Sequence, residues 1–315
     1  MNESIVTVTE LTHNFAERRA LDNVSFAVAK NEIFGFLGPN GGGKTTMFKI
    51  LSTAITPTQG RAEVCGYNVD ADPSEVRKHI GVVFQSPSLD LKLTVKENLR
   101  FHGLLYGLYG TRSSERIDEV LKHLKLVDRA NDAVESLSGG LQRRVEIGKG
   151  LLHHPDLLIL DEPSTGLDPG ARRDLWDYLL LLRKETGVTI IVTSHILDEA
   201  EHCDRLAILD KGRLVALGTP DTLKRQVGKE VISIVAKDPA GVSMLLKKKF
   251  KLASTIVENI IRVEKNNGHQ FVPKIVEAFP GKVEAISVGK PTLEDVFIHH
   301  TGHSMQGEEL VKADA

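Results

Sequence analysis

At 315 residues the chain exceeds the usual size of a single domain, so one large domain with a smaller appendage is expected. Hydrophobic residues at 41% and charged residues at 26% sit near the average for soluble globular proteins, which excludes a globally disordered or membrane-embedded chain. A formal net charge of -2 supplies no overall field toward nucleic acid or an anionic bilayer, so any partner is recognised locally. Cys65 and Cys203 are too few for a disulfide scaffold or a zinc site and fit a reducing cytosol. The opening MNESIVTVTELTHNF lacks the basic and apolar regions of a secretory signal. No apolar run approaches the roughly 18 to 20 residues that span a bilayer, so another chain is expected to cross any membrane the protein serves.

In chain order, strand-like runs at Ile5 to Val8 and Val24 to Val28 precede Ile33 to Leu37, a buried strand that ends abruptly in Gly38-Pro39-Asn40-Gly41-Gly42-Gly43. A helical pattern follows at once from Lys44 to Leu51. Further strands are predicted at Ile80 to Phe84, Leu157 to Leu160, Val188 to Thr193 and Arg205 to Leu209, with helices between them, as in an α/β sheet. Between Pro87 and Gly150 the pattern turns helical, at Val95 to Leu105, Ser114 to Leu124 and Leu141 to Leu152, and reads as an inserted helical subdomain at about 88–150. The large domain is placed at 1–226. A small α+β appendage follows at 227–303, with strands at Val231 to Val235, Thr255 to Val263 and Val283 to Val288. Its helices are predicted at Val242 to Phe250, Phe271 to Phe279 and Leu293 to His299, and a polar tail occupies 304–315.

The residues from Gly38 to Gly43-Lys44-Thr45 match G-x-x-x-x-G-K-[ST], the phosphate-binding P-loop, in the strand-to-helix setting that the motif requires. Main-chain N–H groups and the positive helix end surround phosphate there, and Lys44 adds a point charge near the β and γ groups. The same loop makes Pro39, Asn40, Gly41, Gly42 and Thr46 nucleotide-binding candidates and Thr45 a magnesium ligand. Leu157 to Leu160 runs into Asp161-Glu162, two carboxylates at a strand end, where open α/β sheets bind ligands. Asp161 is expected to hold magnesium and Glu162 to polarise the attacking water. Taken alone, the pair is equally well an acidic strand terminus before Pro163.

Leu137-Ser138-Gly139-Gly140-Leu141-Gln142-Arg143-Arg144 places a serine and two glycines at the start of a helix, which by itself is an ordinary helix cap. Beside the other motifs this segment resembles the signature of the ABC ATPase family, and the resemblance covers nearly the whole chain. It implies a P-loop NTPase of ABC type, with a RecA-like core, an antiparallel β subdomain and an inserted helical subdomain, plus the C-terminal α+β appendage. It also implies that Ser138, Gly139 and Gly140 of one copy face the γ-phosphate held by the P-loop of another. Gln85 looks like the Q-loop glutamine that senses magnesium, joining Thr45 and Asp161 as a metal residue, and contacts the helical subdomain; Asp168 belongs to a D-loop-like Ser164-Thr165-Gly166-Leu167-Asp168, and His195 resembles the switch histidine. Phe15 occupies the place of the aromatic that stacks on adenine, with a core phenylalanine as the alternative. One departure is Leu141, where many members carry the glutamine that here stands at 142.

The resemblance therefore implies an ATP- and Mg2+-dependent ATPase working as a nucleotide-sandwiched homodimer, cytoplasmic and peripheral to the membrane through a separate permease. Catalysis would rest on Glu162, His195, Gln85 and Lys44. Pro291 to Phe297 is similar to the end of drug-export and polysaccharide-export type cassettes, particularly the daunorubicin-resistance class, which points to export. The rival from another class is a soluble ABC mechanoenzyme acting on nucleic acid or ribosomes. The charge balance is not basic and neither a long coiled coil nor a second cassette is present, so no nucleic-acid partner is expected. His299, His300 and His303 read as dipole-facing histidines at a helix C-terminus rather than metal ligands. The lysines at 247, 248, 249 and 251 read as a solvated helix face.

Overall fold

A computed structural model describes residues 3–228 and 230–305, so the greater part of the polar tail read at 304–315 lies outside the described residues. The chain divides into two compact units, one ending at Leu214 and one beginning at Val215. No helix among the described residues is long and apolar enough to cross a membrane.

The first unit opens with a hairpin of two long strands, β1 (Ser4–Phe15) and β2 (Arg18–Ala29), then β3 (Ile33–Leu37) and helix α1 (Lys44–Leu51). Strands β4 (Gln59–Val64) and β5 (Tyr67–Asn68) follow, then α2 (Pro73–His79) and β6 (Ile80–Val83). Three helices come next: α3 (Val95–Leu105), α4 (Gly110–Leu124) and α5 (Gly139–Leu151). The chain returns to the sheet with β7 (Leu157–Asp161), α6 (Pro169–Thr186), β8 (Thr189–Ser194), α7 (Leu197–Ala200) and β9 (Arg205–Asp210), and β10 (Arg213–Gly218) follows across the division after Leu214.

Two sheets result. One is antiparallel in the order β2-β1-β4-β5; the other runs β10-β9-β3-β8-β7-β6. Every residue of β3, β7 and β8 is buried, as expected of parallel strands covered on both faces, which is why they read as largely apolar rather than alternating runs. The two sheets share one core with α1, where Phe26 stacks on Phe34 at 5.6 Å and meets Phe36 edge-on at 5.2 Å. Aromatic pairs of this kind add about 0.5–1.5 kcal/mol beyond their buried area.

Register decides what the sheet presents at its C-terminal edge. Leu37 lies opposite Ser194, Asp161 opposite Thr193, and Val83 opposite Leu160. The segments that follow β3, β6, β7 and β8 therefore leave the sheet side by side, carrying Gly38, Gln85, Glu162 and His195. The three helices α3, α4 and α5 pack on one another, and α5 also lies against β6. Helix α3 starts at a capping box in which Thr94 and Glu97 satisfy each other's backbone N–H groups.

The second unit contains α8 (Pro220–Val227), β11 (Val231–Ala236), α9 (Pro239–Phe250), β12 (Thr255–Val257), β13 (Ile260–Glu264), α10 (Val272–Ala278), β14 (Val283–Gly289) and α11 (Leu293–Thr301). Its antiparallel sheet runs β12-β13-β11-β14, and Ile232, Ile234, Leu246, Ile261 and Ile275 form its core. Arg262 on β13 binds Asp295 at 2.6 Å and Glu294 at 3.2 Å, tying α11 to the sheet. The division after Leu214 precedes the boundary read near residue 226 because α8 packs on α11 within this unit.

Several elements differ from their sequence reading. The run Thr255 to Val263 is a hairpin rather than one strand, since Glu258 and Asn259 both take positive φ, at 52° and 64°. Two successive left-handed residues form the tight turn that suits strand twist. Strands β4, β5 and β10 are absent from the sequence reading: Gln-Gly-Arg at 59–61 breaks the alternation in the first. The first strand extends seven residues past Val8, across a register shift at Glu10, whose φ is 48°.

Candidate nucleotide site

The loop between β3 and α1 is shaped by close approach. A Cβ on Gly38 would stand 2.1 Å from the Leu209 carbonyl oxygen, and Gly43 turns into the helix at φ 108° with Ala20 O only 2.9 Å from where its Cβ would lie. Only glycine fits both places. No side chain caps α1. Lys44 is 3% exposed and donates to Gly38 O at 2.8 Å and Pro39 O at 3.0 Å. Around it lies a pocket of about 290 Å³ lined by Phe15, Arg18, Ala20, Asn40, Gly41, Gly43, Lys44, Thr45, Thr46 and Glu162. Phe15 is 46% exposed there, with His13 edge-on at 4.4 Å, so it is a pocket wall and not a core residue. Arg18, at the start of β2, is a pocket residue that no motif flagged.

At the end of β7, Asp161 is buried and accepts from Thr193 Oγ1 at 2.6 Å, while the same oxygen accepts from Glu162 N at 2.9 Å. Glu162 sits at φ 42°, a left-handed geometry that costs a non-glycine residue about 1–3 kcal/mol and persists only where surroundings hold it. Four groups hold its carboxylate: His195 Nδ1 at 3.2 Å, Thr165 Oγ1 at 3.3 Å, Gln85 Nε2 at 3.4 Å and Lys44 Nζ at 3.6 Å. The hydrogen bond from His195 keeps Glu162 below the usual carboxylate range, and the same contact raises His195 above the usual imidazole value. Burial pushes Asp161 the other way, against the bond from Thr193, so its charged form is under-compensated in the chain alone.

The signature lies elsewhere on the surface of the same unit. Ser138 caps α5, accepting weakly from Leu141 N at 3.5 Å; Ser138 and Gly139 are exposed, and none of the three signature residues lines the pocket. The displaced Gln142 points back and donates to Val134 O and Leu137 O, each at 3.1 Å, bracing the turn before the helix. Asp168 is exposed and caps α6 through Gly170 N at 2.9 Å and Ala171 N at 3.0 Å. Thus Phe15, the loop residues, Gln85, Asp161, Glu162 and His195 converge, whereas Ser138, Gly139, Gly140 and Asp168 do not join them within one chain.

Two supports escaped the motif reading. Buried Arg143 spans Pro163 O at 2.8 Å, Phe84 O at 2.8 Å and Asp161 O at 3.2 Å, so one guanidinium ties the segment after β6 to the one after β7. Glu199, 2% exposed, joins Ser164, Ser194 at 2.7 Å and Arg172 at 3.5 Å. A charged residue three positions after the second signature glycine was the available signal for the first. Nothing in sequence spacing marks the second, which depends on α6, α7 and β8 meeting.

Residues 21–165 match the family model described as ABC transporter, and residues 218–301 match that of the ATP-binding protein DrrA1-3-like C-terminal domain. The daunorubicin resistance ATP-binding protein DrrA3 of Streptomyces coeruleorubidus is 33% identical over 315 residues, covering 98% of this chain and 99% of that protein. The probable multidrug ABC transporter ATP-binding protein YbhF of Escherichia coli (strain K12) is 42% identical over 224 residues, 71% of this chain, and the match spans 39% of that longer relative. Among solved structures, the dimeric post-hydrolysis state of the ATP-binding cassette MJ0796 with ADP and Pi aligns with a TM-score of 0.59 at 29% identity, covering 68% of this chain and 98% of that one.

Proposed function

From the premise that the chain belongs to the ABC transporter ATP-binding family, we propose that it is the ATP-hydrolysing subunit of an exporter. It works as a homodimer on the cytoplasmic face of a membrane and drives a separate permease. The observation that carries this reading is the convergence of Lys44, Gln85 and His195 on Glu162 at the mouth of the glycine-loop pocket. Export is supported by the relatives named for daunorubicin resistance and probable multidrug transport, and by the DrrA-like match of the second unit. The dimer is supported by the dimeric MJ0796 cassette and by the exposed signature, which has no role in its own pocket.

In this mechanism Lys44 exchanges its bonds to loop carbonyls for the β- and γ-phosphates, and Phe15 stacks on the base. Glu162, held ionised, accepts the proton of a water that adds to the γ-phosphorus as the bond to the β-phosphate oxygen breaks. His195 and Gln85 fix the orientation of that carboxylate. Ser138 and the N–H groups at Gly139 and Gly140 of the second copy close over the phosphate as another anion-binding helix end. Mg2+ fits the donors on offer, the Thr45 hydroxyl and the Asp161 carboxylate, whose buried charge a cation would stabilise. Bound there, it would neutralise the charge of the phosphates. Glu162→Gln should retain Mg-ATP binding and lose about 10² to 10⁴ in turnover; steady-state ATPase at the wild-type rate contradicts the assignment.

A further inference from the structure

The loop that carries Gln85 leaves β6 and reaches α3 with almost no secondary structure of its own, yet buried side chains grip it at three points. Phe84 O takes the bond from Arg143 already described. Ser88 is held through its three polar atoms. Its N–H donates to Glu146 Oε1 at 2.5 Å, and its hydroxyl donates to Glu146 Oε2 at 2.8 Å. Lys149 Nζ donates to the Ser88 carbonyl at 2.8 Å and to its hydroxyl at 2.6 Å. Asp90 is held by N–H and carbonyl to the buried Asn98 amide, both at 2.9 Å.

Arg143, Glu146 and Lys149 are 8%, 5% and 8% exposed and recur every three residues along α5, the helix that begins at Ser138. Charged groups this buried are costly unless fully partnered, and here the partner is an exposed loop residue that they immobilise. We propose that Glu146 and Lys149 are positioning residues for Gln85. By clamping Ser88 they make the Gln85 loop one rigid body with the signature helix, so that engagement of Ser138 by the second nucleotide is felt at the first.

This inference rests on reading the chain as an ATPase, and the test separates the two. Ser88→Ala and Glu146→Gln should each lower kcat about tenfold with KM for ATP little changed. Lys149→Met should do likewise, and Lys149→Arg should restore most of the rate. Combined with Gln85→Ala, either of the first two should add almost nothing, because both act through Gln85. Hydrogen exchange of the amides at 85–90 should rise in Ser88→Ala while that of β7 stays at wild type. Unchanged exchange at 85–90, or rate losses that multiply with Gln85→Ala, overturns the clamp. A wild-type protein without ATPase activity refutes the functional reading instead, and the exchange experiment still judges the clamp.

Discussion

The starts of α1 and α5 both bring glycines to a helix N-terminus, before the helix at α1 and in its first turn at α5, and they are finished differently. At α1 no side chain caps the helix, Lys44 is buried, and the neighbouring carboxylate is cross-braced by four side chains of its own chain. At α5 a serine caps the helix over 3.5 Å, the first residues are exposed, and the bracing lies behind them, in Gln142 and Arg143. In the proposed function the site finished inward receives the nucleotide, and the exposed helix end serves a nucleotide held by a second copy, so the two are halves of two different sites.

Substitutions at each end break or sharpen that contrast. Between the two helix ends the larger effect is expected at α5: Ser138→Arg should lower steady-state ATPase by about 10² to 10³, while nucleotide titration of the monomer stays within error of wild type. Equal loss of nucleotide affinity would mean that both helix ends serve one pocket. At the α1 end, Phe15→Ala should weaken nucleotide binding about tenfold, within the range found when a base loses an aromatic platform. Isothermal titration measures this, and unchanged affinity would return Phe15 to a purely structural place.

The smallest effect concerns the brace around Glu162. Its carboxyl is held below its ordinary value of 4.5, so its contribution is complete above that value and lost as pH falls through the depressed pKa. His195 is raised above 6.5, so its contribution is complete below that value and lost as pH rises through the raised pKa. The pair therefore stabilises the fold most between about pH 4.5 and 6.5. Thermal unfolding of the wild type should show a small loss from pH 6 to 9 that His195→Ala lacks; the same slope in both would remove the pair from the account.

Much of this was legible in the sequence because the motifs announce themselves where a strand ends. Ile33 to Leu37 and Leu157 to Leu160 hold no polar side chain and Val188 to Thr193 only its two threonines, so their ends are plain, and the residues just beyond each fall at one edge of the sheet. What could not be read is what depends on register and long-range partners. The grip of Arg143 on three carbonyls and the buried meeting of Ser164, Ser194 and Glu199 involve residues 18 to 59 positions apart in the first case and 35 and 5 in the second. The positive φ of Glu162 is equally invisible, since no glycine or asparagine marks it. The hairpin at Glu258-Asn259 was missed because continuous apolar residues on either side masked a two-residue turn.

The central claim is that each nucleotide is enclosed by two copies of this chain, one offering the pocket and the other the signature. Sedimentation of Glu162→Gln with saturating Mg-ATP, in parallel with the double variant Glu162→Gln/Ser138→Arg, tests it most directly. The account predicts a nucleotide-dependent dimer for the first and a monomer for the second, with nucleotide bound in both. A dimer that forms without nucleotide, or one that survives the arginine at 138, contradicts it.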